Sequence, residues 1–377
     1  MMLRKITRYS FLALIMCWLI LVFNRQAMAS CTINVPTATN PMPLQLGNIT
    51  VGADLADGTV LYTQTYNLNF NPGGGNYIAV TCSTPGQVMA NYTLTQNPLP
   101  LSSWGSGQYT GKVYETGVPG IGVYIHQGVN GAAIIPASKP AASSDASNCA
   151  TGKCVVTGNF KRWDVFFVKT GPVSSGTIIG ANLPCVGVNY TNDINSSDNQ
   201  VENICMTGTV NIVASTCKTP DVTVPMGKYD VSTFSGEGSA TKWVNASIKL
   251  TDCPVYYGRG SRGSWYADGS GTDNSGTPVK NSISVKLMPA NPVINSSQGI
   301  FDLSKIAGSA SGVGIQLAYG TESSPELVNF GAQKTFEMDN GSNGISEIPL
   351  IARYIQTSAN VTPGIANSAV TFMISYY

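Results

Sequence analysis

Three stretches of this 377-residue chain carry side chains able to hold a polyhydroxylated ligand. Trp104, Gln108 and Tyr109 fall within "SSWGSGQYTG", Asp145 and Asn148 lie in a long polar loop, and Arg162, Trp163 and Asp164 open an apolar run. Amides and carboxylates pair with sugar hydroxyls, and aromatic faces cover the C–H patches of a sugar ring. Each has a plainer reading beside it. A tryptophan in a strand also serves a sheet core, and an Asp or Asn in a polar loop can simply be solvated.

Other chemistries find less to work with. His126 is the single histidine of the chain and follows an apolar strand, where a hydrogen-bonded strand-end role accounts for it better than a ligand role. Gly258-Arg-Gly-Ser-Arg-Gly263 spells G-x-G-x-x-G but opens no helix, so the dinucleotide reading lacks its βαβ setting. Asp268 to Asp273 hints at a calcium loop, yet Val279 stands where the bidentate glutamate is required. No GxSxG elbow and no positioned pair of acids support hydrolysis. The expectation is a binding protein rather than an enzyme, with no metal and no cofactor.

The composition fits an exported protein. Arg4, Lys5 and Arg8 precede an apolar run from Phe11 to Phe23 and an Ala27-Met28-Ala29 cleavage signal, so residues 1–29 read as a secretory leader. That run is too short to span a bilayer comfortably. A lipoprotein modified at Cys31 is the rival, weakened by Met28 where such a box wants leucine. Removing Arg4, Lys5, Arg8 and Arg25 leaves 17 basic against 20 acidic residues, a balance of −3. Such a chain has no electrostatic footprint for nucleic acid or anionic membranes.

Of nine cysteines, Cys17 leaves with the leader. Eight in an exported chain read as four disulfides. Sequence alone does not determine the pairing, and joining neighbours is the simplest choice: Cys31–Cys82, Cys149–Cys154, Cys185–Cys205 and Cys217–Cys253. None shows the C-x-x-C spacing of a zinc site.

The elements that must position these residues are strands. "GTVLYTQTYNLNF", "GIGVYIHQG" and "KRWDVFFVKTG" are rich in β-branched and aromatic residues and are separated by turn chemistry. No segment of twelve residues holds a helical period. Ala137 to Asn148 reads as the longest irregular loop, and the glycine-rich stretch Tyr256 to Gly276 reads as a solvated hairpin loop. A boundary at 213–216 divides 30–212 from 217–377. In the closing stretch Val370, Phe372, Ile374 and Tyr376 share one face of an extended strand, and Thr371, Met373, Ser375 and Tyr377 share the other. Chain ends fray unless pinned, so this strand should be built into a sheet.

Gly364, the alternation after it and the penultimate Tyr376 resemble the C-terminal signal of pilus subunits assembled by the chaperone–usher route. Cys217 with Cys253 in "LTDCP", "SGVGIQL" at 311–317, "IPLIARYIQT" at 348–357 and "VTPGIANSAVTF" at 361–372 extend that resemblance over nearly all of 217–377. "VGADLADGTVLYTQTYN", "YETGVPGIGVYI" and "WDVFFVKTGPVSSGTI" resemble more loosely the receptor-binding domain of two-domain tip adhesins, including those of type 1 and type 3 fimbriae.

The resemblance implies an all-β protein of two β-sandwich domains. The first is a lectin-like receptor-binding domain, and the second is an immunoglobulin-like pilin domain lacking its last strand. A periplasmic chaperone would contact Val370, Phe372, Ile374 and Tyr376, an outer-membrane usher would follow, and the next subunit would fill the groove by strand addition. A chain that enters a folded domain at Ser30 could accept a strand without donating one. It would therefore sit at the fimbrium tip on the cell surface. The expected receptor is a host glycan. The alternatives are a matrix protein such as collagen, or a structural tip subunit without receptor.

Overall fold

The computed structural model describes residues 31–33, 39, 41–69, 77–82, 88–128, 133–140, 154–158, 160–192, 200–266, 271–273 and 278–377. Among them every regular element is a strand, apart from three single turns of 3-10 helix. The leader, Asp145 and Asn148 lie outside the described residues, and so do the side chains that would form Cys31–Cys82 and Cys149–Cys154.

Two hydrophobic cores form. Around the first, one sheet runs in the order Tyr114–Glu115, Ile121–Gln127, Phe160–Lys169 and Val60–Asn69, all antiparallel. A second sheet runs Ala137–Pro140, Val88–Gln96, Cys185–Asn192 and Gln200–Ile204. The alternation of "WDVFFVK" explains how the two meet. Trp163, Val165 and Phe167 point inward and are buried, packing with Tyr92, Val186 and Val188 of the other sheet. The rings of Tyr92 and Trp163 meet edge-on at 6.0 Å. Buried Trp163 also donates its Nε1–H to Glu202 Oε2 at 2.8 Å, so its polar handle is satisfied inside the core. The Cys185–Cys205 bond, 2.05 Å between sulfurs, ties adjoining strands of the second sheet.

The second core lies among residues 246–376. One sheet orders Val244–Asn245, Leu350–Gln356, Val313–Thr321, Ile300–Phe301 and Val293–Asn295. Another orders Lys334–Glu337, Ser282–Pro289 and Val370–Tyr376. The closing strand is pinned at its end, where Tyr377 and Ser282 exchange backbone hydrogen bonds of 2.8 and 2.9 Å. Cys217 and Cys253 are bonded, with sulfurs 2.07 Å apart.

Two sequence expectations give way. Ala137–Pro140 is a strand paired with Val88–Gln96 rather than the start of an irregular loop. The glycine-rich stretch is not merely a solvated loop. Ser261–Tyr266 and Gly271–Asp273 form a hairpin, and its first strand pairs in parallel with Val60–Asn69. Isolated glycine-rich polar sequence has little strand preference, but an unpaired neighbouring edge supplies ladder hydrogen bonds that override it.

Candidate functional site

The side chains of Phe160–Lys169 that point away from the core build the first site. Asp164, Phe166 and Val168 alternate with Trp163, Val165 and Phe167 and so lie on the sheet's other face, where Asp164 and Val168 are buried and Phe166 is half-buried. Register sets Asp164 between Thr65 and His126, and Phe166 between Thr63 and Tyr124. A small satellite cluster of Val113, Tyr124, Ile134 and Val168 supports this face, with Trp104, Tyr109 and Phe166 packed partly exposed against it.

The aromatic rings form a continuous strip. Trp104 lies 5.9 Å from Tyr109, and Tyr109 lies 5.2 Å from Tyr124. Tyr124 stacks on Phe166 at 4.8 Å with planes 4° apart. His126 ends the strip, 4.8 Å from Phe166 and 5.4 Å from Tyr124. Beside that end stands a polar trio. Thr65 Oγ1 donates to Asp164 Oδ1 at 2.5 Å, and Arg162 Nε donates to the same oxygen at 3.1 Å. A guanidinium Nη lies 3.0 Å from it. Two donors fix the carboxylate, so it is aimed before any ligand arrives.

Burial shapes the electrostatics of this strip. Desolvation lowers the His126 pKa from 6.5, partly opposed by the negative charge of Asp164. Its Nε2 is buried and has no hydrogen-bond partner among the described residues. Burial, with Tyr109 adding to it, raises the Tyr124 hydroxyl pKa, so that group stays protonated. Trp104, Tyr109 and Phe166 offer partly exposed ring faces, and beside them lie a half-buried guanidinium and the buried carboxylate it orients. The arrangement suits a ligand that is apolar on one side and hydroxylated or charged on the other.

The second site is a groove of about 640 Å³ in the other core. Phe301, Ile315, Leu317, Leu350, Val370 and Phe372 are among its lining residues, and so is the run Val222 to Gly227. Val370 and Phe372 belong to the strand Val370–Tyr376, which pairs with Ser282–Pro289 alone, so its second edge carries no strand among the described residues. Val370, Phe372 and Ile374 pack on the core while Thr371 and Met373 are exposed.

Residues 42–180 match the family described as the MrkD-like receptor binding domain, and residues 204–377 match the family described as Fimbrial protein. The chain thus joins a match to a receptor-binding family to a match to a fimbrial one. Members of these families bind and build rather than catalyse. This chain is 28% identical over 165 residues to a fimbrial subunit type 1 of Salmonella typhimurium, covering 43% of the chain and 75% of that relative. It is 29% identical over 158 residues to the type-1 fimbrial protein A chain of Escherichia coli, covering 41% of the chain and 71% of the relative.

Among solved structures it is similar to the receptor binding domain of the plasmid-born adhesin MrkD1P of Klebsiella pneumoniae. That match has 20% identity and a TM-score of 0.33, covering 50% of the chain and 98% of that structure. The CupB6 tip adhesin of Pseudomonas aeruginosa is similar over 92% of the chain and 95% of that structure, at 15% identity and a TM-score of 0.33.

Of the residues singled out for ligand chemistry, the adhesin brings four to one face. Trp104 and Tyr109 belong to the strip, and Arg162 and Asp164 flank its end. Gln108 is exposed on the turn Gly107–Tyr109 that carries Tyr109. Trp163 does not join them, because the strand's period of two turns it into the core against Glu202. Sequence reasoning passed over Tyr124, Phe166 and Thr65 and read His126 as a strand-end residue. The parity shared by Asp164 and Phe166 was the signal that could have found them.

Proposed function

We propose that this adhesin attaches the cell bearing it to a host receptor, a glycan in the first instance, through the outer face of the sheet containing Phe160–Lys169. One observation carries the reading. Within the part that matches a receptor-binding family, a partly exposed aromatic strip ends beside a carboxylate already oriented by Arg162 and Thr65. Stacking on ring faces with paired hydrogen bonds beside them is how weak sugar sites gain selectivity. Many fibres per cell then supply avidity.

The domain division we adopt is a receptor domain over 30–212 and a fimbrial domain over 217–377, joined at 213–216. The groove supports donor-strand exchange. An apolar trench beside a strand with a free edge suits an added strand of alternating side chains. A periplasmic chaperone would fill it first, touching Val370, Phe372, Ile374 and Tyr376. An outer-membrane usher would then exchange that strand for the next subunit's. A subunit with a receptor domain reaches its target from the fibre end, so the tip is the position we assign.

The test compares cells carrying assembled fimbriae with wild-type adhesin and with Phe166→Ala. Both are applied to a printed array of mammalian glycans and to immobilised collagen. The reading expects wild-type retention on particular glycans and its loss in the variant, with fimbriae still assembled. Retention on collagen alone would make the receptor a matrix protein. Equal retention of both strains would remove this face from the account.

A further inference from the structure

Val60–Asn69 pairs along one side with Phe160–Lys169. Its other side would present a bare row of backbone donors and acceptors, an open invitation to unwanted pairing. The chain covers that side itself, with a strand supplied some 200 residues later. Ser261–Tyr266 pairs with it in parallel across six positions, from Ser261 opposite Tyr62 to Tyr266 opposite Asn67.

The entry to this hairpin is tied down by buried polar bonds. Gly260 N–H donates to Leu61 O at 2.5 Å. Thr50 Oγ1 donates to Val255 O at 3.0 Å and accepts from the Tyr257 N–H at 2.9 Å. Asn281 accepts from the Gly258 N–H at 2.9 Å and donates to Thr50 O at 3.0 Å. Thr50 and Asn281 are both buried. Gly260 has a φ of +69°, a left-handed turn that suits glycine, just where the chain swings onto the foreign edge.

We infer that the fimbrial domain donates this strand permanently to the receptor domain, and that the receptor face is a joint surface of both. The inference rests on the reading of that face given above. Paired residues on neighbouring strands share a face. Ser264 lies opposite Thr65, Thr65 opposite Asp164, and Asp164 opposite His126, so one row crosses four strands and two domains, half-buried at Ser264 and His126 and buried at Thr65 and Asp164 between them. Register also sets Arg262 opposite Thr63 and Tyr266 opposite Asn67. A receptor lying along this row and beyond the aromatic strip meets positions from the second domain. Part of its selectivity then belongs to residues that a fragment ending at 212 lacks.

Ser264 is paired on both sides, with Thr65 and with Asp273, so Ser264→Pro removes a ladder hydrogen bond whichever way its N–H points. Amide hydrogen exchange on the full chain reads the pairing, and retention of fimbriated cells on the glycan array reads the joint surface. In Ser264→Pro the amides of 61–67 exchange about tenfold faster while those of 350–356 are unchanged, and retention falls about tenfold. A second variant, with 261–273 replaced by a Gly-Ser linker of equal length, gives the same pair of results. Unchanged protection at 61–67 in both variants would overturn the pairing. Lost protection with full retention would overturn the joint surface. If wild-type cells bind nothing on the array, the receptor reading fails, and the exchange result still decides the pairing by itself.

Discussion

Two sheet edges in this adhesin meet opposite fates. The edge at Val60–Asn69 is covered by a strand from the same chain, while the edge at Val370–Tyr376 lies open above an apolar groove. The covered edge is held at the hairpin's entry by hydrogen bonds among Thr50, Gly258 and Asn281, whereas the other edge is capped at its last residue, where Asp54 bonds Tyr376 at both backbone N and O. Gly52 allows that approach, since a Cβ there would fall 2.3 Å from Tyr376 O. Completion from within suits a domain that must hold a face in register for a ligand. Completion from outside is what the proposed donor-strand exchange would require of the fimbrial half.

The comparison breaks most visibly where the closed half is emptied. Trp163→Ala should cost about 3–5 kcal/mol, from the cavity left and the donor lost to Glu202. Stepwise thermal unfolding should show the first core melting early and the second unmoved. Equal loss in both would mean that the two cores unfold as one.

A smaller effect separates recognition from stability. Arg162 is 29% exposed, so Arg162→Ala should lower stability by less than about 1 kcal/mol. It should nevertheless weaken array retention about tenfold, because the carboxylate loses one of the donors that aim it. Stability and retention falling in proportion would make the pair merely structural.

The smallest effect is in pH. The folded pKa of His126 lies below its ordinary 6.5, so the fold favours neutral imidazole. Stability from this group is present above about 6.5 and is lost as pH falls through the lowered folded value. The neighbouring Tyr124 hydroxyl, its pKa raised by burial, stays protonated throughout that window. The first core's melting temperature should therefore drop between about pH 7 and 5, and less so in His126→Asn. The second core has no histidine and should not share that dependence.

How much of this was legible in the sequence follows the same division. The period of two in the closing strand was plain, and Val370, Phe372, Ile374 and Tyr376 do pack on the second core. Such a strand carries its own pattern. Ser261–Tyr266 carries none, because its strand state comes from a distant edge rather than from its own residues. The face was half legible. Residue types pointed to Trp104, Tyr109, Arg162 and Asp164, but type alone cannot tell Trp163 from Asp164. Parity can, and parity also reaches Phe166.

The most direct measurement offers the full chain a free strand. A synthetic peptide of alternating apolar residues is titrated in, and amide exchange is followed along the whole molecule. New protection is expected at 370–374 and 222–227, with none gained at 60–69, where the hairpin already sits. Protection gained at 60–69, or no protection at 370–374, would contradict that expectation.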